Sequence, residues 1–312
     1  HEEVYAVEYK QGGRGQAATH YFRVNPHRLN LGAIGLKLQN KSGEVIEKEN
    51  LSNIRQEQKL YDGMIESNFT ADGEAVAVMT ACAQDRDAVV YRIKTPLLND
   101  NRATVCIRFP YPTGKHADDA ADWTKPEKHQ SRLVQTDAHS AVIERALDDT
   151  RYYLTLRCEV DATLTEEAPH TFSLKPHAPV FAFEATYTAD SADRTKRVFN
   201  FDQEIKAIQR AWHSFWQSGG VVDFSRCTNP RAKELERRVV LSQYLTKINC
   251  ANNMPPQETG LTYNSWFGRP HLEMAWWHGV HFSLWNRTNI LETMLNWYKQ
   301  TAAPVARQIA QR

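Results

Sequence analysis

The chain has 312 residues, 41% of them hydrophobic and 24% charged, an ordinary globular composition too long for one compact core, so two domains are expected. The formal net charge is +1 with no basic run, so the cationic stripe that a nucleic-acid partner requires is missing, and no apolar run is long enough to span a membrane. Cys82, Cys106, Cys158, Cys227 and Cys250 are scattered without a CxxC pair, which argues against a disulfide framework or structural zinc and leaves buried free thiols as the expectation.

In chain order, residues 1–198 read as β. The clearest hairpin joins 64–70 to 74–80 across Asp72-Gly73, a pair suited to a two-residue turn between strand-like runs. Further strands are expected at 88–95, 103–109, 140–146, 152–160 and 180–188, the spacing of a sandwich. The polar stretch 110–136, with Pro112, Gly114 and Pro126, reads as a long surface loop of the kind that is functional or mobile. Its Trp123 either pins the loop to its own domain or offers a sugar a stacking platform; pinning is the commoner outcome.

At Phe201 the period changes. Ile205, Ile208, Trp212, Phe215 and Trp216 recur at three- and four-residue spacing, a packing stripe on a linker helix that ends near Gly219-Gly220. Asn229 followed by Pro230 predicts an N-cap and first turn for a helix over 230–249. A Pro, Gly and Asn-rich loop follows at 254–270, then helical stretches at 272–284, 289–299 and 302–311. The fold class is therefore β then α. The expected domains are a sandwich at 1–198, a helical linker at 199–229 and a helical domain at 230–312.

Chemistry concentrates in 260–285. That segment places Tyr263, Trp266, Phe267, Trp276, Trp277, Phe282 and Trp285 among Arg269, His271, Glu273, His278 and His281. Aromatic faces stack on the C–H faces of pyranose rings, while Arg, His and carboxylates hydrogen-bond hydroxyls, so the mixture fits a sugar site. The candidate substrate-binding residues are Trp266, Phe267, Arg269, His271, Glu273, Trp277 and His278. Trp276, Phe282 and Trp285 are assigned instead to helix packing. No HExxH is present, and neither a metal nor another cofactor is expected.

The order of β-sandwich, helical linker and helical domain resembles the (α/α)6-barrel glycosidases and phosphorylases, and in particular the maltose, trehalose and kojibiose phosphorylase family within the six-hairpin glycosidase superfamily. Residues 69–92 resemble that family's early sandwich strands. Residues 260–284 resemble the barrel segment where a Gly-rich loop leads into a Trp-Asp-Thr-Glu motif; here Pro270-His271-Leu272-Glu273 stands in that place. Glu273 matches the family's Glu, His271 stands where its Asp would hold sugar hydroxyls, and Pro270 replaces its stacking Trp, a role Trp266 could take over. The resemblance implies a super-β-sandwich, a linker and the start of an (α/α)6 barrel. It also implies an inverting glycoside hydrolase acting on oligosaccharides, in which an acid protonates the leaving oxygen while a nucleophile attacks from the opposite face. The proton donor is then expected beyond Arg312, leaving Glu273 and Glu258 as the carboxylates near the pocket and Glu273 as a positioning residue. The alternatives are a disaccharide phosphorylase, a non-catalytic carbohydrate-binding module, or a scaffold. The expected partners are an oligosaccharide, a second copy of the chain, or the remainder of the barrel. Because the chain opens at His1 instead of Met, a mature periplasmic or secreted protein is the corresponding expectation.

Overall fold

A computed structural model describes residues 13–24, 27–189, 191–193, 197–261 and 263–311. Its strands are β1 (Ala33–Leu38), β2 (Ser52–Lys59), β3 (Met64–Ala71), β4 (Glu74–Cys82), β5 (Ala88–Lys94), β6 (Ala103–Arg108), β7 (His129–Thr136), β8 (Ser140–Leu147), β9 (Thr150–Cys158), β10 (Ala162–Ala168), β11 (Thr171–Pro176) and β12 (Val180–Thr188). Its α-helices are α1 (Gly13–Val24), α2 (Phe201–Gln217), α3 (Ala232–Cys250), α4 (Met274–Leu284), α5 (Thr288–Trp297) and α6 (Ala303–Ala310), with one π turn at Tyr298–Ala302. The order is a β-sandwich first and a helical region from residue 200 onward, as the hydrophobic periods require.

Two units divide these elements, and neither is a single stretch of chain. The described residues within 31–111 and 123–221 form one; those within 13–30, 112–122 and 222–311 form the other.

In the first unit a four-stranded sheet runs β1-β6-β11-β10 and an eight-stranded sheet runs β2-β3-β4-β5-β12-β9-β8-β7, all pairings antiparallel. Alternation along the strands sends one set of side chains inward. Phe181, Phe183 and Ala185 of β12 meet Val105 and Ile107 of β6 and Phe172 and Leu174 of β11 in one buried core. The opposite set on β12 lies on the other face of the sheet. There Glu184, fully buried, is hydrogen-bonded by Arg86, Arg197, Arg157 and Thr186, and Arg86 and Arg197 also pair with Glu204 of α2. A buried carboxylate holds its charge only when so surrounded.

Helix α2 belongs to the sandwich unit and packs against β4 and β5. Asn200 caps it by accepting from Gln203 N at 2.9 Å. Ile208, Trp212 and Phe215 are buried, and Trp216 Nε1 donates to Leu60 O at 3.0 Å, so the aromatic stripe is a packing face. Trp123 is half-exposed, with the Arg108 guanidinium 4.7 Å from its ring centre, so it is pinned within its own unit.

On β8, beside the edge strand β7, lies Arg145, fully buried between the Phe109 ring at 4.7 Å and the Tyr152 ring at 5.9 Å. Among the described residues no carboxylate pairs with it. Its donors go to Gln130 O, Ser131 Oγ, His129 Nδ1 and the Tyr152 hydroxyl. His129 stacks on His170, ring centres 3.8 Å apart.

Several sequence expectations need correction. The segment 110–136 is not wholly loop, because 129–136 pairs with β8 as an edge strand; its outward positions are polar, so the apolar alternation is faint. Residues 13–24 are helical and not β; Ala17, Ala18, Tyr21 and Phe22 recur at helical spacing. The helix expected from Pro230 begins at Ala232, and Asn229 Oδ1 accepts from Arg231 N at 2.9 Å ahead of it. The cysteines are free thiols, but Cys82 and Cys227 are exposed; only Cys158 and Cys250 are buried.

Candidate functional site

The second unit gathers the candidate residues on the loop before α4. Gln257 is almost wholly buried and its Nε2 donates to Gly260 O and, at 3.1 Å, to Tyr263 O, which folds 257–263 back on itself. Gln257 also bridges Pro270 in an antiparallel pairing. Buried Asn264 ties the loop to two other segments. Its backbone exchanges hydrogen bonds with Asp118 at 2.8 and 3.2 Å, and its Nδ2 donates to Arg28 O at 3.0 Å.

Between these anchors Trp266, Phe267 and Gly268 take φ of 47°, 60° and 73° in succession. Left-handed backbone costs an L-residue roughly 1–2 kcal/mol each, so two aromatic residues held there must be over-determined by their surroundings. Phe267 N donates to His116 O at 3.0 Å and Arg28 N donates to Phe267 O at 3.1 Å. Glycine is required at 268, where a Cβ would lie 2.3 Å from Arg28 Cβ.

The turn buries Phe267 and leaves Trp266 46% exposed. The Trp266 ring meets His116 edge to face at 4.6 Å and His271 at 5.7 Å. Nε2 of His271 is buried without a hydrogen-bond partner among the described residues.

The remaining candidates divide. Arg269 Nη2 donates to Phe22 O at 2.7 Å, which fastens the loop to α1. His278 is buried, its Nε2 bonded to Glu258 O at 3.0 Å, a bond that holds the loop to α4. Ser265 Oγ donates to the Glu258 carboxylate at 3.3 Å. Glu273 is exposed at the N-terminus of α4 and caps nothing with its side chain, so its carboxylate is free to meet a solute. Trp277 is 70% exposed.

Phe282 is buried, as a packing residue should be, and Trp285 is partly so; Trp276 is 64% exposed and does not pack. The reason lies in α4, which is apolar on nearly every face. Its Gly279 approaches Leu291 and Met294 of α5 so closely that a Cβ would lie 2.6 Å from Leu291.

Burial lowers the pKa values of His27 and His281, with His278 adding to the effect at His281. Among the described residues no group of three or more His, Cys, Asp or Glu is placed to hold a metal ion, and no helix is long and apolar enough to cross a membrane. His116, Gln257 and Asn264 were not identified from sequence. His116 comes from a segment 150 residues upstream of Trp266, and the only trace of the other two is a pair of amides in a Pro/Gly-rich loop.

No family model matches this chain, and no curated protein matches it. One similar solved structure is described as a putative kojibiose phosphorylase from human microbiome, at 8% identity and a TM-score of 0.48. The match covers 70% of this chain and 32% of that one; this chain spans about a third of that protein's length.

Proposed function

We propose that the chain is the sugar-binding portion of a carbohydrate-active enzyme of the inverting glycosidase or phosphorylase type, with the Trp266 turn as its sugar platform. The observation that carries this reading is an exposed indole held in a left-handed turn between two imidazoles. A pyranose offers such a place an apolar C–H face for the indole. Glu273, two residues beyond His271 and uncommitted to the fold, is the positioning carboxylate. Trp277 extends the apolar surface on the same helix. In an inverting reaction the general acid protonates the leaving oxygen while water or phosphate attacks the opposite face; Glu273 would orient the sugar for that step.

Calorimetric titration with α- and β-linked disaccharides, with and without phosphate, tests the reading. Trp266→Ala should weaken binding about three- to tenfold, from the loss of one stacking contact. Glu273→Ala should weaken it tenfold or more, since a hydrogen bond to a charged group contributes about 1.5–3 kcal/mol. Equal affinity in both variants and the parent removes the site.

A further inference from the structure

The sandwich unit contains a cleft that the sugar reading does not use. At one side of the sandwich β1 ends the small sheet and β2 ends the large one, and among the described residues no further strand closes the space between them. A cavity of about 430 Å³ opens there, with walls that include Leu36, Ile46, Phe69, Val78, Tyr91 and Phe183. Interiors are ordinarily packed as tightly as organic crystals, and a space of this size lies within the range of small-molecule sites. All but Phe183 of these six pack against the core yet remain only partly buried, because the cavity takes the place of neighbouring atoms. Ile54, also lining the cleft, is 66% exposed.

Two features give the cleft a chemistry. The Tyr91 ring stacks on Phe183 at 4.8 Å, which gives the cleft an aromatic wall. The charged side chains that line the cleft are Lys48 and Arg55. Each pairs with a neighbouring glutamate, Lys48 with Glu49 at 3.6 Å and Arg55 with Glu57 at 3.1 Å, on strongly exposed side chains. Such exposed pairs contribute little and exchange readily. Lys48 and Arg55 line the cleft and the two glutamates do not, so a ligand carboxylate at the rim would take the place of those exposed glutamates.

We propose that this cleft is a binding site for a single-chain alkyl carboxylate, the hydrocarbon lying between the sheets and the carboxylate meeting Lys48 and Arg55.

Titration of the intact protein with decanoate, followed by calorimetry, tests the site. One saturable site is expected, with decyltrimethylammonium binding at least tenfold more weakly. Reversing the rim with Lys48→Glu and Arg55→Glu, both exposed and outside the core, should weaken decanoate at least tenfold and strengthen decyltrimethylammonium. Val78→Trp, which fills the cavity, should abolish binding of both while retaining the parent's circular dichroism. If that variant does not fold, the rim reversal still decides the matter. Absence of saturable decanoate binding, or rim-reversed protein that binds decanoate as the parent does, overturns the proposal.

Discussion

Protonation of His129 should destabilise the sandwich, and the surroundings of the ring give the sign of the effect and its approximate size. The His129 ring is 7% exposed, stacked on His170, 5.8 Å from the Tyr111 ring, and its Nδ1 accepts a hydrogen bond from the Arg145 guanidinium. Adding a proton at Nδ1 breaks that bond and sets two cations side by side in a buried place. Desolvation first, then Arg145 and His170, lower its pKa from 6.5 to about 4. The unfolded chain takes up this proton near pH 6.5 and the folded chain near 4, so between those values the unfolded state binds more protons and stability falls as pH falls. At about 1.4 kcal/mol per pH unit the full loss is about 3 kcal/mol, and about 2 kcal/mol of it is gone at pH 5. Urea denaturation at pH 7.5 and pH 5 measures it. His129→Asn keeps an acceptor near the Nδ1 position without the titration, so the pH 5 deficit of the variant should be smaller by about 2 kcal/mol. The depressed pKa values of Glu184, Asp137 and Glu167 act in a lower window, their contribution being lost as pH falls through the folded-state values. Equal deficits in parent and variant would refute the reasoning.

Further outcomes follow from packing. Glu184→Gln removes the carboxylate that Arg86, Arg157 and Arg197 share, and should lower stability by about 3–5 kcal/mol in urea titrations at neutral pH. Gly63→Ala would place a Cβ 1.9 Å from Trp212 Nε1; thermal melting should show a lower Tm and tryptophan emission should shift as α2 is displaced from the sheet. Phe267→Ala should cost about 3–5 kcal/mol, since its ring is buried under the turn, whereas Trp266→Ala should change stability by less than about 1 kcal/mol.

Where the physics was local, the fold could be read from the sequence. Asp72 takes φ of 50° at the tip of the β3–β4 hairpin, and the Asp-Gly pair announces it. The α2 stripe was equally plain, because Trp212 and Phe215 repeat at helical spacing toward one neighbour. Strand β2 left no such trace: its Ser-Asn-Ile-Arg-Gln-Glu-Gln-Lys run is exposed almost throughout, so burial imposed no alternation. For the site, the aromatic and histidine density of 260–285 was visible, but the division of labour within it was not. Trp266 and Phe267 are adjacent and chemically alike. Only the left-handed turn, fixed by Arg28 and His116 from distant parts of the chain, exposes one ring and buries the other.

The most direct test of the sugar reading is saturation-transfer difference NMR on the intact protein with a panel of oligosaccharides. Transfer is expected from the protein to the ring C–H protons of at least one sugar, reduced strongly in Trp266→Ala at unchanged fold. No transfer to any sugar of the panel, or transfer undiminished in that variant, would contradict it.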